Sequence, residues 1–375
     1  MGGLTVQCLP ARQGDAIWIR WGDGHQIMLD MGTERVGRNL RARLEALPED
    51  QRRFDLLVVT HVDEDHIGGV LSCLADPDDP LPGLVFDDIW FNGWDHLHGR
   101  STPVPGAPAR LESMGPVQGE RLTSWLRDQP WNEAFGRGPV VRDDGPLGAP
   151  TDLGGGVSVT ILGPTQERLA AHVDTWREDV ERALAAGQLE EAAVAARPAG
   201  GLEAFGQAGP PPLETREDLE DLADTRTPTD SSLANACSIS FLLTWEGRRL
   251  LFTGDALGED LVAGLRLVDG GTPVPVDVLK VPHHGSKNNV TDELVAAVTC
   301  GYWLFSSDGT RYDHPDAIAI ARILRSSAVE HPVLAFNVPS EFNGWWRNPD
   351  WRSRFGYAVE YGEEPDGIVV TLEPT

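Results

Sequence analysis

Apolar and polar positions along the chain divide it into short strand-like runs and helical stretches. Residues 4–9 and 15–21 carry strand signals. Trp21-Gly22-Asp23-Gly24-His25 supplies the Asp-Gly pair of a hairpin turn before 26–30 returns. Residues 36–47 are apolar at helical spacing, with Arg and Glu on the open face. Residues 54–60 form a continuous apolar run, as in a strand buried on both faces. A helix is predicted over 67–74, its N-terminus toward the charged cluster before it, and a strand over 84–90.

From about 92 to 150 these signals weaken, with short helical pieces such as 119–128. Residues 157–162 read as a strand, and the Ala-, Glu- and Arg-rich 168–196 as a helix. A stretch rich in Pro and Gly and then acidic, 197–232, predicts an exposed insert between two halves of one fold. Strand signals resume at 238–244 and 250–253 around the Glu246-Gly247 turn. Helix and strand then alternate over 258–267, 276–281, 292–298, 302–305, 315–324 and 333–336. Residues 357–360 and 368–372 are expected to form a closing hairpin around Pro365-Asp366-Gly367. The pattern predicts one α/β domain over 1–375. Its first half is about 1–163, an insert about 165–232, and its second half about 233–375, as two similar αβ units packed sheet to sheet.

Composition narrows the class. With 41% hydrophobic and 24% charged residues the chain can bury a sizeable core. No apolar run approaches the ~18–20 residues of a membrane helix, and the first residues show no signal-peptide pattern, so a cytoplasmic protein without membrane association is expected. Cys8, Cys73, Cys237 and Cys300 are widely spaced and form no Cys-x-x-Cys pair, which predicts buried free thiols. The net charge of −27 slows encounter with polyanions. It lowers the expectation of tight, sequence-independent DNA binding; metal ions and a local basic cluster would still attract nucleic acid. The acidic surface also leaves room for a protein partner. Trp345-Trp346 and Trp351 are expected to anchor core or loops, with stacking on bases as the alternative.

Four stretches carry candidate chemistry. The first is Thr60-His61-Val62-Asp63-Glu64-Asp65-His66-Ile67-Gly68-Gly69. Imidazoles and carboxylates this close compete for protons unless a cation lies between them. Alternating directions along a loop would aim His61 and Asp63 at one ion and Asp65 and His66 at another, and the Gly pair would let the backbone turn tightly. A solvated acidic loop is the plain alternative. The second is Leu250-Leu251-Phe252-Thr253-Gly254-Asp255, where a strand leaves a carboxylate able to bridge two cations; alone it would read as a turn. The third, Leu279-Lys280-Val281-Pro282-His283-His284-Gly285-Ser286-Lys287, delivers adjacent histidines that point apart, one to ligate and one to serve substrate. Ser286 and Lys287 would suit a phosphate. The fourth is Tyr312-Asp313-His314-Pro315, placing His314 at a helix entrance as ligand, proton donor or substrate contact, or simply as a packing residue.

The order of these motifs resembles the metallo-β-lactamase superfamily, and within it the nuclease-like domain of the competence protein ComEC and its free-standing relatives. Gln13-Gly14-Asp15-Ala16-Ile17 and Leu29-Asp30-Met31-Gly32 are similar to that group's opening hairpin. The resemblance spans roughly 4–325, apart from stretches near 92–150 and 165–232. It implies a four-layer αβ/βα sandwich with the site at one edge of two central sheets. It also implies His61, Asp63, Asp65, His66, Asp255 and one or more of His283, His284 and His314 around two metals. Two positions depart from the usual pattern. Asp63 stands where the second His of His-x-His-x-Asp-His would be. The usual Gly-His-Thr ligand is missing, and Asn235 in Ala234-Asn235-Ala236-Cys237-Ser238 is the nearest candidate. An oxygen-richer first site suits Mn²⁺ or Mg²⁺, with Zn²⁺ or mixed occupancy as the other option.

The expected reaction is hydrolysis of a phosphodiester in a nucleic acid or nucleotide, by hydroxide held between the two ions. Asp65 or Asp255 would orient the hydroxide, Lys287 would neutralise developing charge, and His284 or His314 would protonate the leaving oxygen. Ser286, Lys287 and Asn235 are the candidate substrate contacts. The alternatives are a hydrolase of a small ester, lactone or nucleotide, which the net charge favours, and a non-catalytic partner protein keeping a structural metal site.

Overall fold

The apolar runs pair into two mixed sheets. A computed structural model describes residues 2–76, 81–102, 117–142, 145–178, 209–268 and 271–375. One sheet has six strands in the order Ile368–Leu372, Leu4–Cys8, Ile17–Trp21, His25–Leu29, Arg53–Val58 and Val85–Trp90. It is antiparallel up to His25–Leu29 and parallel beyond. The other has eight: Ala358–Tyr361, Val333–Phe336, Tyr302–Phe305, Val278–Lys280, Arg248–Phe252, Ser240–Trp245, Val157–Gly163 and Thr151–Gly154. It is parallel up to Arg248–Phe252 and antiparallel after it.

Alternation along the strands sets the layers. Leu250 and Phe252 turn inward to meet Leu56 and Val58 of the other sheet. Leu251 turns outward, against Leu261, Leu294 and Ile320 of the helices Gly258–Leu265, Asp292–Ala296 and Ala317–Ser326. Phe54 and Leu57 face Leu40, Ile67 and Val70 of the helices Glu34–Glu45 and Glu64–Cys73. An apolar run such as 54–59, broken only by Asp55, is therefore shared between two cores. Each fully buried Leu or Phe contributes roughly 1.5–3 kcal/mol. The result is an α/β fold of two mixed sheets flanked by helices. No described helix is long and apolar enough to cross a membrane. All four cysteines are free and buried. Trp346 and Trp351 pack edge to face in the core, 5.5 Å apart, and do not form a stacking platform.

Several expectations are corrected. The strands of the tail do not form a hairpin. Ala358–Tyr361 runs parallel to Val333–Phe336 in the eight-stranded sheet, while Ile368–Leu372 pairs with Leu4–Cys8 in the other. Alternation reports that a segment is a strand, but not which edge completes it. The acidic part of the insert does not stand clear of the fold over its described residues. The helix Arg216–Ala223 buries Leu219 and Ala223 in the core between the eight-stranded sheet and its helices, and Arg322 donates to the carbonyls of Ala223 and Thr225. The predicted strand over 276–281 is two, Val274–Val276 and Val278–Lys280, and the helix expected from 315 starts at Ala317. Of the helix predicted over 168–196, the residues from 179 lie outside the described residues.

Candidate metal centre

The parallel strands Arg53–Val58, Arg248–Phe252 and Val278–Lys280 all end at the same edge, so the loops that follow them meet. After the first, Thr60 and His61 lead into the helix Glu64–Cys73, whose N-cap is Asp63. Asp65 and His66 are therefore in its first turn, where exposed N–H groups favour carboxylates. Gly68 and Gly69 lie inside this helix and make no turn. A Cβ on Gly69 would come within 1.9 Å of the Met31 carbonyl oxygen, so glycine lets the helix approach the strand end that carries Asp30. Likewise a Cβ on Gly14 would strike the Asp65 carbonyl oxygen at 1.8 Å.

Four imidazoles converge on one carboxylate oxygen. Asp255 Oδ2 lies 3.4 Å from His66 Nε2, 3.4 Å from His284 Nε2, 3.9 Å from His61 Nε2 and 3.9 Å from His283 Nε2. Asp63 Oδ2 flanks His61 Nε2 at 3.6 Å, and Asp65 Oδ2 flanks His284 Nε2 at 3.6 Å. His61, His66 and Asp255 can share one ion, as can Asp65, His66 and His284.

The acceptors behind each ring assign its tautomer. His66 Nδ1 donates to Asp30 Oδ2 at 2.7 Å, and His284 Nδ1 to the Ser306 carbonyl at 2.9 Å. His283 Nδ1 donates to Asn289 Oδ1 at 3.0 Å, with Asp230 Oδ2 at 3.4 Å. His61 Nδ1 donates to Thr60 Oγ1 at 3.0 Å, whose own proton goes to Asp30. All four rings therefore turn Nε2 inward, and those of His61, His66 and His284 are buried without a hydrogen-bond partner among the described residues. Such backing orients histidines for metal binding.

The electrostatics agree. Burial alone would lower the His66 pKa, but Asp255 and Asp30 more than reverse this and raise it well above the usual value. Burial alone would raise Asp255, but His284, His66 and His283 hold it well below the carboxylate range. The cluster thus demands positive charge, which protons or divalent cations can supply, and cations displace those protons. The donor set fits two divalent ions.

The remaining predicted residues lie around this cluster. The turn Pro282–Gly285 carries His283 and His284 with left-handed backbones, φ 46° and 55°, conformations that non-glycine residues adopt only when the surroundings enforce them. The two rings reach the same carboxylate, which places both His283 and His284 beside Asp255. Asn235 donates to Asp230 Oδ2 at 2.7 Å beside His283. Ser286 is fully buried, and its hydroxyl accepts the Asn288 N–H. Lys287 Nζ donates to Asp316 Oδ1 at 2.9 Å, and His314 Nδ1 is 3.3 Å from Asp316 Oδ2. The His314 ring is 5.3 Å from that of His283.

Sequence reasoning did not assign Asp15, Asp30, Asp230, Lys280 or Asn289. A signal existed for two of them: Asp30 ends a strand just before Gly32, and Lys280 is a lone charge in an apolar strand. Lys280 Nζ is 2.5 Å from Asp15 Oδ2, both groups being buried. Burial would lower the Lys280 pKa, but Asp15 and Asp255 raise it above its usual value.

Fold and site together define a metal-dependent hydrolase. Residues 9–307 match the profile of the metallo-beta-lactamase superfamily, and the chain belongs to that superfamily. No curated protein matches it closely enough to count as a relative. Among solved structures it is similar to Zn(2+)-bound PqqB from Methylobacterium extorquens, at 13% identity over 96% of this chain and 87% of that one, with a TM-score of 0.37. It is also similar to CmlA, a diiron beta-hydroxylase from Streptomyces venezuelae, at 12% identity over 99% and 54%, with a TM-score of 0.39. A third likeness is to a metallo-beta-lactamase from Cronobacter sakazakii, at 12% identity over 74% and 73%, with a TM-score of 0.29.

Proposed function

We propose that the protein hydrolyses phosphodiesters, as a nuclease or phosphodiesterase resembling the ComEC nuclease-like domain, with two divalent ions held by His61, Asp63, Asp65, His66, Asp255, His283 and His284. The observation that carries this reading is the oxygen-rich donor set. Asp63 is where a second histidine commonly stands and Asn235 is where a third does, and carboxylate-rich sites favour Mn²⁺ over zinc.

Divalent ions bound there supply an acidified water and offset charge developing on phosphorus. Asp65, in the first turn of its helix and 3.6 Å from His284, orients the attacking water. His314, backed by Asp316, protonates the leaving oxygen. Lys287 faces the phosphate while Asp316 holds its ammonium. The test is cleavage of single- and double-stranded DNA and of bis(p-nitrophenyl) phosphate across Mn²⁺, Mg²⁺ and Zn²⁺. Asp65→Ala is expected to abolish Mn²⁺-dependent cleavage, and retained cleavage would sink the assignment.

The net charge of −27 supports a second reading, a small ester, lactone or nucleotide as substrate. A salt titration of binding separates the two, because a polymeric substrate gives a steep slope.

A further inference from the structure

Of the 31 basic residues in the chain, 29 are arginine and only two are lysine, Lys280 and Lys287. A sequence that uses arginine nearly everywhere it needs positive charge has kept lysine at two positions, both in the segment that carries His283 and His284. The two side chains differ in shape: guanidinium is a planar fork, whereas ammonium is a compact point charge with three donors. At Lys280 that difference matters. Its side chain is 0% exposed, and Nζ lies 2.5 Å from Asp15 Oδ2, 3.2 Å from the Gly254 carbonyl oxygen and 3.8 Å from Asp255 Oδ1. Three oxygens grouped around one point suit an ammonium, and a planar fork cannot converge on them.

Those oxygens lead straight to the metal ligands. Asp255 Oδ1 accepts no hydrogen bond among the described residues, while its Oδ2 faces the imidazoles. Asp15 takes Lys280 on Oδ2 and stands 3.4 Å from His284 Nδ1 with Oδ1. Asp15 precedes a strand of the six-stranded sheet, whereas Asp255 follows a strand of the other sheet and Lys280 ends one, so the ammonium also ties the two halves of the site together.

We propose that Lys280 is a positioning residue of the metal centre: its ammonium sets Asp255 so that Oδ2 faces the histidines and, through Asp15, steadies His284, in a place arginine cannot fill. This inference rests on reading the cluster as a metal centre. A structural role is separable from it, because replacing both members of a buried ion pair by apolar side chains is often neutral or stabilising.

The experiment titrates Mn²⁺ into the metal-free full-length protein by calorimetry and records the melting temperature of the metal-free form. It compares wild type, Lys280→Arg, and the double variant Lys280→Met with Asp15→Leu, which removes the pair as a unit and leaves no lone buried charge. The double variant is expected to melt at or above wild type yet bind Mn²⁺ roughly 10–100-fold more weakly. Lys280→Arg is expected to lose affinity as well. Wild-type affinity in either variant overturns the role of Lys280, as does a double variant that melts well below wild type, since the pair would then be structural. Wild-type protein that takes up no Mn²⁺ overturns the manganese-centre reading on which this proposal rests, and this proposal with it.

Discussion

The two halves of the metal centre are built in different ways. From the six-stranded sheet, His61, Asp63, Asp65 and His66 come from one short segment, fixed by the start of a single helix. From the eight-stranded sheet, Asp255, His283 and His284 come from two loops. They rely on partners from elsewhere: Asp230 from beyond the docked acidic helix, Asn289 from the next turn, and Ser306 from the end of another strand. The ligands of the first half are local, with Asp30 backing His66 from another strand, while those of the second meet only once the fold has closed. Perturbations of supporting residues should therefore loosen the second half more selectively.

The largest effect is expected at the carboxylate where the halves meet. Asp255→Asn should lose both ions, measured as metal content after dialysis, and bring hydrolysis to background. A variant that keeps two ions would show that the halves are independent. Next, His314→Gln should lower kcat by roughly 10²–10⁴-fold while leaving Mn²⁺ uptake unchanged, because His314 stands beside the ligand group and is backed by Asp316. A fall in metal content instead would move His314 into the second half-site. A smaller change is expected from Asp230→Asn, roughly 10–100-fold in affinity for one ion, read by calorimetry; the metal-free melting temperature should also fall, because Asp230 accepts from the Ser232 N–H and from the Asn235 and Asn289 amides. Asp30→Asn is the matching test of the first half. Asp30 is fully buried and also holds both the N–H and the hydroxyl of Thr60, so this change should lower stability as well as affinity.

The smallest effect concerns acid stability. Burial works against ionisation of Asp316, but His314 and Lys287 outweigh it and bring the carboxyl down to about 2. A carboxyl lowered on folding stabilises the protein fully above its unfolded value of roughly 3.9. That contribution fades as pH falls toward the folded value. Asp316→Asn should therefore cost roughly 1–2 kcal/mol near neutral pH and progressively less between about pH 4 and pH 2, followed as the difference in melting temperature from wild type. A difference that does not change with pH would mean that the carboxylate charge is not what Lys287 and His314 sense.

The same contrast explains what could be read from the sequence. The strand Tyr302–Phe305 and the strand Val333–Phe336 were visible as apolar runs with the observed bounds, and the segment from His61 to His66 declared itself because its ligands are contiguous. Asp230 and Asn289 gave no such signal. Each lies in a polar stretch; tertiary packing brings Asp230 to His283, and the turn that follows His283 brings Asn289. The acidic run around Glu217 suggested exposure because its charges outnumber its apolar residues, yet Leu219 and Ala223 suffice to dock one face of a short helix. The partner edges of the tail strands were hidden for a related reason, since pairing is a property of the sheet and not of the segment.

That tail has a mechanical meaning. Between Ala358–Tyr361 and Ile368–Leu372 only residues 362–367 cross from one sheet to the other. The crossing is pinned by Gln7 Nε2 donating to the Asp366 carbonyl, by Arg43 reaching Pro365 and Asp366, and by Gly362 N–H donating to Phe336. It acts as a lace across one rim of the sandwich. Cutting it and releasing Ile368–Leu372 would leave Leu4–Cys8 with an open row of N–H and C=O groups, a template for pairing with another copy. A nick far from any ligand could thus reach the protein's solubility first and its chemistry second.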